Sequence, residues 1–479
     1  MKCMPSLRDY LRGYLRRPFV RPWALAAPVI VLFVCLPMLR PLRHPTDLSE
    51  DESLRLATIH ALVEHHTLAL DAPPQVDAQQ IIQAGASVYA DQTPMMALLL
   101  SGPAWVMTRL GWPLRENAAL VAYLMTLLGA TLPVAAAAGL FYRMGRLFEL
   151  PRPWRAGLSA AIIFGSGLIS YAVVLNPHAP AAVLLLCAAA CLIHVSLAKL
   201  PKRGVGWILL AGLCAALAAT IDPPAGIIAL LFFFVIATLR MPIAYRAMAM
   251  LLFIAGLAGP IAVHAAWSRP INGEIIPGWR HADAMLASHA SASAHTLAIV
   301  GEPDADDIIA RPSRWIAVGD YVQWIFEALA GRHGIFSHFP VMLLGLFGIA
   351  AVMHRHWPMF VKALAASSAI GTIAIIALYA TVRSDWREAM FATRWFIVFL
   401  PLLLFWSGAW LRRTHSRPTW ALAGTILAYS AIVSLIGMTD PYPRAGYDRY
   451  TARQAIDRLL QGPDHDALAG NPTAPATTP

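Results

Sequence analysis

The sequence predicts an all-α polytopic membrane protein, and three observations lead to that class. Of its 479 residues, 58% are hydrophobic and only 13% are charged, and the mean hydropathy of +0.57 is too high for a soluble domain. Apolar runs of helical length follow one another along most of the chain. Arginines cluster at the ends of these runs, as topology signals do. The net charge of +10 therefore does not indicate a nucleic-acid partner.

The arginine clusters decide how many of the apolar runs are expected to cross the bilayer. The runs cover about 23–39, 94–110, 117–142, 156–175, 179–198, 205–221, 224–239, 245–267, 338–353, 359–380, 392–411 and 419–437. If all of them crossed, three successive basic clusters would lie outside, against the positive-inside rule. The run 94–110 is short, begins at Pro94 and is interrupted by Gly102-Pro103. We therefore expect it to be re-entrant or interfacial, which leaves eleven spans, a cytoplasmic N-terminus and an outer C-terminus.

This topology divides the chain into three parts. Residues 1–22 form a basic cytoplasmic N-terminus, 23–437 a transmembrane domain, and 438–479 an outer, partly disordered tail. The domain carries a first outer loop at 40–116 with juxtamembrane helices and a large outer loop at 268–337. Nearly all acidic residues fall on the outer face, and the cytoplasmic connections are short, basic and without a P-loop. Any chemistry is therefore expected at the outer face, without a cytosolic nucleotide.

A helix is expected to begin in the first outer loop, directly after Ser49. Ser49 and Glu52 have the spacing of a capping box, and three acidic residues in the first turn suit the helix dipole. Leu56, Ile59 and Val63 are predicted to form its apolar face, as in a helix lying at a membrane surface. The acidic residues need no chemistry to explain them on this pattern alone.

Polar residues of the outer face gather near the ends of the predicted helices. Carboxylates beside arginines at a bilayer boundary suit a site for a lipid-linked phosphate. Each residue also has a structural explanation, since His178 can cap a turn, Asp222 can end a helix and Arg394 can snorkel. No His-x-x-x-His spacing predicts a metal centre, and a divalent metal is left open. The candidates are Asp47, Asp51, Asp91, His178, Asp222, Arg383, Asp385, Arg387, Glu388 and Arg394.

The order of four short motifs resembles the GT-C class of membrane glycosyltransferases. Asp51-Glu52 is similar to the acidic motif that heads the first juxtamembrane helix, and YADQTP (89–94) to the motif that opens the next one. GRHGIFSHFPVMLLGLFGI (331–349) and FATRWFIVFLPLLLF (391–405) are similar to two later segments. The nearest resemblance is to the bacterial relatives of protein O-mannosyltransferases and lipid A aminoarabinose transferases. Gln92 departs from the pattern, because many relatives carry a lysine there, and His178 stands where some carry an acidic residue.

The resemblance implies a GT-C-like helical bundle at a bacterial inner membrane, with its site facing outwards. It implies an inverting transfer of a sugar from a polyprenyl-phosphate donor to a lipid, protein or glycan acceptor. Asp51 would be the general base, with Asp47 in reserve. Arg394 and Arg387 would hold the departing phosphate, beside Tyr89 and Gln92. Glu52, Asp91, His178 and Asp222 remain further site candidates.

Two other classes of function stay open on the sequence. A transporter or flippase of a lipid-linked substrate would also place charges around a lipid phosphate, although such proteins often show repeated halves that this chain lacks. A non-catalytic scaffold with the same fold would tolerate the replacement at Gln92.

Overall fold

The computed structural model describes residues 22–39, 48–70, 81–84, 86–197, 201–272, 314–382, 391–392, 394–412, 416–439 and 441–442. Helices dominate these ranges, with one short hairpin. The helices are α1 (Pro22–Met38), α2 (Glu50–Glu64), α3 (Met95–Arg109), α4 (Ala118–Thr126), α5 (Leu132–Met144), α6 (Arg152–Gly165), α7 (His178–Leu197), α8 (Pro201–Ile221), α9 (Ala225–Ile236), α10 (Ile243–Asn272), α11 (Arg314–Ala330), α12 (Ile335–His338), α13 (Met342–Met353), α14 (Met359–Val382), α15 (Leu400–Phe405), α16 (Ser407–Leu411) and α17 (Arg417–Thr439).

The helices identify a multi-pass membrane protein. In the described part of the chain five are long and apolar enough to span a bilayer: Ala118–Phe148, which joins α4 to α5 through a π-helical turn, His178–Ser196, Ile243–Arg269, Met359–Ala380 and Arg417–Thr439. A sixth arises if Tyr321–His338 and Met342–Met353, bent by 95°, are counted together. The count of eleven spans and the assignment of sides stay predictions.

Close contact between α8 and α10 shows how these helices pack without a polar interface. A methyl group added to Gly212 would overlap the carbonyl of Phe253, and one added to Gly256 would overlap the carbonyl of Leu209. Small residues at such crossings let two backbones approach, and dispersion between them replaces the hydrophobic effect inside a bilayer.

The apolar run 156–175 does not form one continuous helix. Helix α6 ends at Gly165, and a 3-10 turn follows at Ser170–Val173. Gly167 adopts a φ of +72°, and a Cβ there would lie 2.5 Å from the ring of Phe339. Only glycine meets both conditions, so the chain turns at this point and presents residues 170–176 to the first outer loop.

The first outer loop contains two helices, as expected, and a β-hairpin. The all-α prediction did not include the hairpin. Strands β1 (Ile81–Ala84) and β2 (Ser87–Ala90) pair antiparallel, with Ile81 opposite Ala90. A small core of Leu54, Leu70 and Ala90 joins this hairpin to α2. Helix α3 follows and packs against α2. That α3 does not cross the bilayer remains a prediction.

Helix α2 begins as predicted but buries a wider face than predicted. The capping box between Ser49 and Glu52 is present, so the predicted start of this helix is confirmed. Leu56 and Val63 of the predicted apolar face are only half-buried. The buried face consists of Glu52, Leu54, Arg55, Thr58, Ile59, Ala61 and Leu62. The predicted face is therefore confirmed in part, since Ile59 is buried and Leu56 and Val63 pack against the core, but the buried surface also includes the polar residues Glu52, Arg55 and Thr58.

Candidate functional site

The site forms where the first outer loop meets the ends of three other segments. The Thr93 hydroxyl, just before α3, donates to the carbonyl of Ile221 at 2.8 Å and joins α3 to the end of α8. Glu52 in α2 reaches the backbone of Leu175, which precedes α7. The short 3-10 turn Arg394–Phe396 completes the site from the far end of the chain.

Glu52 uses both carboxylate oxygens to hold backbone in place. Its Oε2 accepts from the backbone N–H of Ser49 at 3.1 Å, and its Oε1 accepts from the N–H of Leu175 at 3.0 Å. The residue is only 1% exposed. A buried carboxylate that receives two backbone donors is positioned to connect two segments, so the structure gives Glu52 a structural role at the edge of the site.

Asp51, the neighbour of Glu52, points to a different partner. Its Oδ2 forms an ion pair and hydrogen bond with a terminal guanidinium nitrogen of Arg394. The amide of Gln92 donates to the backbone carbonyl of Asp51 at 3.2 Å and lies 3.5 Å from its Oδ1. The side chain of Asp51 remains 22% exposed and that of Arg394 12% exposed. Solvent and ligands can therefore reach this ion pair, although neither side chain is fully hydrated.

The charges around Asp51 fix its protonation state. Burial on its own raises the pKa of the Asp51 carboxyl. The positive charges of Arg394 and Arg55 and the hydrogen bond from Arg394 outweigh that effect, so the pKa lies below its ordinary value. Asp51 is therefore a carboxylate at neutral pH, ready to accept a hydrogen bond or a proton.

The position of Arg394 is set by residues that directly follow α17, the last helix that the structure describes. Its guanidinium carbon lies 5.9 Å from the ring centroid of Tyr442, which follows α17. The backbone N–H of Phe391 donates to the carbonyl of Pro441 at 3.3 Å, and the hydroxyl of Tyr171 donates to the carbonyl of Phe391 at 2.5 Å. The segment that carries Arg394 is thus held on two sides, which fits a positioned cation better than a snorkelling one.

His178 and Asp222 form a second, buried pair beside Asp51. The Nδ1 of His178 lies 2.7 Å from Oδ2 of Asp222. His178 opens α7, and Asp222 directly follows α8. In the tautomer in which Nδ1–H donates to the carboxylate, Nε2 is left as an acceptor. Because the two side chains pair with each other, His178 is not simply a surface cap and Asp222 is not simply a helix terminator.

The described residues do not suit a metal centre as they are arranged. Among them, no three His, Cys, Asp or Glu side chains come together closely enough to hold an ion. Arg394 forms an ion pair with the carboxylate of Asp51, and the ring of His178 is hydrogen-bonded to Asp222. A cation would have to displace a guanidinium to reach Asp51.

The remaining predicted residues fall into two groups. Tyr89 and Gln92 line a cavity beside Asp51, whereas Asp91 lies half-buried in the turn between them. Asp47 and Arg387 lie outside the described residues.

Sequence reasoning missed Arg55, which lines the same cavity. It follows Asp51 by four positions and therefore lies on the same helix face, a spacing that could have identified it. The prediction considered only the apolar residues of the buried face and therefore overlooked this spacing.

Comparison with solved structures identifies the fold. The chain is similar to the oligosaccharyltransferase of Archaeoglobus fulgidus in its apo form, with a TM-score of 0.52 and 13% identity over 90% of this chain. The same archaeal enzyme tethered to an acceptor peptide gives 0.50 and 15% over 94% of this chain. In its complex with zinc and sulfate it gives 0.52 and 15% over 89%. The chain spans 57% of the length of the apo structure.

These similarities show a fold of the GT-C type and support the resemblance at that level. No protein-family model matches the sequence. No curated protein matches it either.

Proposed function

We propose that this protein is a glycosyltransferase that takes a sugar from a polyprenyl-phosphate donor and delivers it to a lipid, protein or glycan acceptor. The observation that carries the proposal is the pairing of Asp51 with Arg394, a base and a cation brought together from opposite ends of a GT-C-type fold. The finer kinship with bacterial O-mannosyltransferase and aminoarabinose transferase relatives, and the placement of the site on the outer face of a bacterial inner membrane, belong to the same proposal.

The chemistry requires a proton acceptor and a stabilised leaving group. The acceptor hydroxyl attacks the anomeric carbon, the new C–O bond forms, and the bond from that carbon to the phosphate oxygen breaks with inversion. Asp51 takes the hydroxyl proton, and the negative charge that develops on the lipid phosphate is met by Arg394. Because Asp51 is already ionised, it is ready to accept that proton at neutral pH.

The ion pair also suggests how the two roles succeed each other. In the absence of donor, Arg394 and Asp51 neutralise each other at the membrane boundary. A phosphate that approaches Arg394 offers more oxygen ligands than the carboxylate does, and it draws the guanidinium away. Asp51 is then free to face the acceptor hydroxyl.

His178 with Asp222 is a second candidate for the proton. A histidine whose Nδ1–H is held by a carboxylate presents Nε2 as a base, and the pair lies within electrostatic reach of Asp51. We assign Asp51 the first role because it contacts the cation that would hold the leaving group, and His178 a place in the same proton path.

A transfer assay tests the proposal. The purified protein in proteoliposomes is given a panel of radiolabelled polyprenyl-phosphate hexoses and pentoses, with lipid, glycan and peptide acceptors. Peptides join the panel because the archaeal oligosaccharyltransferase was solved tethered to one. We expect a labelled product with wild-type protein, none with Asp51→Asn, and wild-type yield with the exposed control Glu50→Gln. Binding of the lipid without any transfer across the panel would favour the flippase or the scaffold instead.

The choice of carboxylate needs a separate comparison. Asp51→Asn keeps size and polarity but cannot accept the proton, whereas Asp47→Asn alters the residue held in reserve. Loss of transfer in Asp47→Asn together with retention in Asp51→Asn would move the base to Asp47.

A further inference from the structure

The turn at residues 170–176 is bonded to both sides of the candidate site. The backbone N–H of Leu175 donates to Oε1 of Glu52 at 3.0 Å, and Glu52 is the neighbour of the candidate base in α2. The hydroxyl of Tyr171 donates to the carbonyl of Phe391 at 2.5 Å, three positions before the candidate cation. One short segment therefore holds two parts of the site that lie far apart in the sequence.

An internal network makes this turn rigid. Asn176 is fully buried, and its amide donates to the carbonyl of Tyr171 at 2.6 Å and to that of Val174 at 2.9 Å. Its side-chain oxygen accepts from the backbone N–H of Ala179, in the first turn of α7, at 2.9 Å. A buried polar network whose members are bonded to each other rigidifies the segment that contains it.

Two long helices fix the position of the turn. The hydroxyl of Thr131, in the π-helical turn between α4 and α5, donates to the carbonyl of Ala172 at 2.7 Å. The hydroxyl of Ser170 donates to the carbonyl of Ser434 in α17 at 2.6 Å. Both helices are long and apolar enough to span the bilayer, so the turn is a fixed point relative to the bundle.

The chain before Arg394 depends on its contacts, because its backbone is strained. Ala392 has a φ of +49°, in the left-handed region that residues with a side chain seldom adopt. Such a conformation persists only where the surrounding structure holds it. Phe391 is held twice: its carbonyl accepts from Tyr171, and its ring lies so close to Gly437 that an added Cβ would be 2.2 Å away.

We propose that Tyr171 is a positioning residue that holds Arg394 against Asp51, with the turn 170–176 as the platform that sets the separation of cation and base. Tyr171 acts through the backbone of Phe391 rather than by touching the reactants. The inference rests on the proposed function and deepens it, since a base and a phosphate-binding cation must be placed on the same substrate.

The protonation of Asp51 gives the inference a readout that does not require turnover. If the Tyr171 hydroxyl is lost, the strained segment can relax and Arg394 can move away from Asp51. Burial, which raises the pKa of the Asp51 carboxyl, is then no longer outweighed by the guanidinium. The pKa of Asp51 should therefore rise, and the carboxyl should stay protonated to a higher pH.

Carbodiimide labelling measures that change. A hydrophobic carbodiimide modifies protonated carboxylic acids, so the pH dependence of its reaction with Asp51 is followed by mass spectrometry on the full-length protein in nanodiscs. Arg394→Met should move the labelling midpoint upwards by about 1–3 pH units, the range for one opposite charge. Tyr171→Phe keeps the ring, removes the hydroxyl and should move the midpoint in the same direction by a smaller amount.

A matched control separates positioning from general stability. Ser170→Ala removes a buried hydroxyl of the same turn whose bond goes to α17 instead. It should lower thermal stability as Tyr171→Phe does and leave the labelling midpoint at the wild-type value. Gly437→Ala pushes against the ring of Phe391 and should raise the midpoint, whereas Gly424→Ala in the same helix meets nothing within 4 Å and should not.

Two further measurements show whether Tyr171 acts through Arg394. In the Arg394→Met background, Tyr171→Phe should have no additional effect on the midpoint, because the group through which it acts is gone. In the transfer assay, Tyr171→Phe should raise the KM for the donor about two- to tenfold, the factor that one hydrogen bond represents, and leave the KM for the acceptor unchanged.

The inference fails if Tyr171→Phe leaves the labelling midpoint unchanged or, should that variant not fold, if Gly437→Ala leaves it unchanged. It also fails if Ser170→Ala raises the midpoint as much as Tyr171→Phe does, or if Tyr171→Phe still raises it in the Arg394→Met background. A wild type that transfers no sugar while Tyr171→Phe shifts the midpoint would refute the transfer reaction alone.

Discussion

Replacing Glu52 by glutamine should reveal how much the site depends on a carboxylate that holds two backbone segments together. The two oxygens of Glu52 accept from the backbone N–H of Ser49 at 3.1 Å and from that of Leu175 at 3.0 Å. Glutamine offers only one acceptor oxygen, so whichever way its amide turns, one of these N–H groups faces another donor. From the sequence alone, Glu52→Gln would be expected to preserve the helix cap and to have little other effect.

The magnitude follows from the group left without a partner. A buried donor that loses its acceptor costs about 1–3 kcal/mol. The amide can turn its NH₂ towards the Ser49 hydroxyl, which keeps part of the cap, so we expect Glu52→Gln to lower the free energy of unfolding by about 1–3 kcal/mol. Glu52→Ala leaves both backbone donors unpaired and should cost about twice as much.

The assay is unfolding of the purified variants in mixed micelles, followed by tryptophan fluorescence. Glu50→Gln is the control, because Glu50 is exposed in the same helical turn and should contribute only about 0.3–1 kcal/mol through the helix dipole. If Glu52→Gln unfolds no more readily than Glu50→Gln, the bond to Leu175 contributes nothing and the attachment of α2 to the turn before α7 is wrong.

Three further changes test other parts of the structure. Arg394→Lys keeps the charge but loses the planar fork, so the KM for the donor should rise while expression holds; an unchanged KM would return Arg394 to a snorkelling role. Gly256→Ala should prevent the close contact of α8 with α10 and lower thermal stability, whereas the Cβ of Gly259→Ala meets nothing within 4 Å and should be tolerated; equal stabilities would argue against that contact. Single cysteines near Arg115 should react with an impermeant reagent from outside and those near Arg152 should not, and labelling at both would refute the eleven-span topology.

The local start of α2 could be predicted from the sequence, because a capping box involves residues only three apart. Ser49 and Glu52 were identified on that basis, and the structure confirms their bond. The second bond of Glu52, to Leu175, joins positions 123 apart and has no local signal. Sequence reasoning therefore identified the residue and half of its role.

The site pairings show the same limit. Asp51, Arg394, His178 and Asp222 were all chosen as candidates, but the sequence could not show that they pair as Asp51 with Arg394 and His178 with Asp222. These pairings depend on tertiary packing around the first outer loop. Arg55 was overlooked because a charged residue on a helix is normally assigned to its solvated face, whereas here it is buried on the inner face of α2.

The separation of Asp51 from Arg394 has a consequence for how the protein is made. The two residues are 343 positions apart, and the segment of Arg394 is fixed in part by residues that follow α17. At a synthesis rate of about 5–20 residues per second, the first half of the site waits roughly 20–70 s for the second. During that time water and lipid headgroups are the available partners of Asp51 and Arg55. The ion pair thus forms long after the contacts within the first outer loop, and its presence marks a chain in which α17 has been inserted.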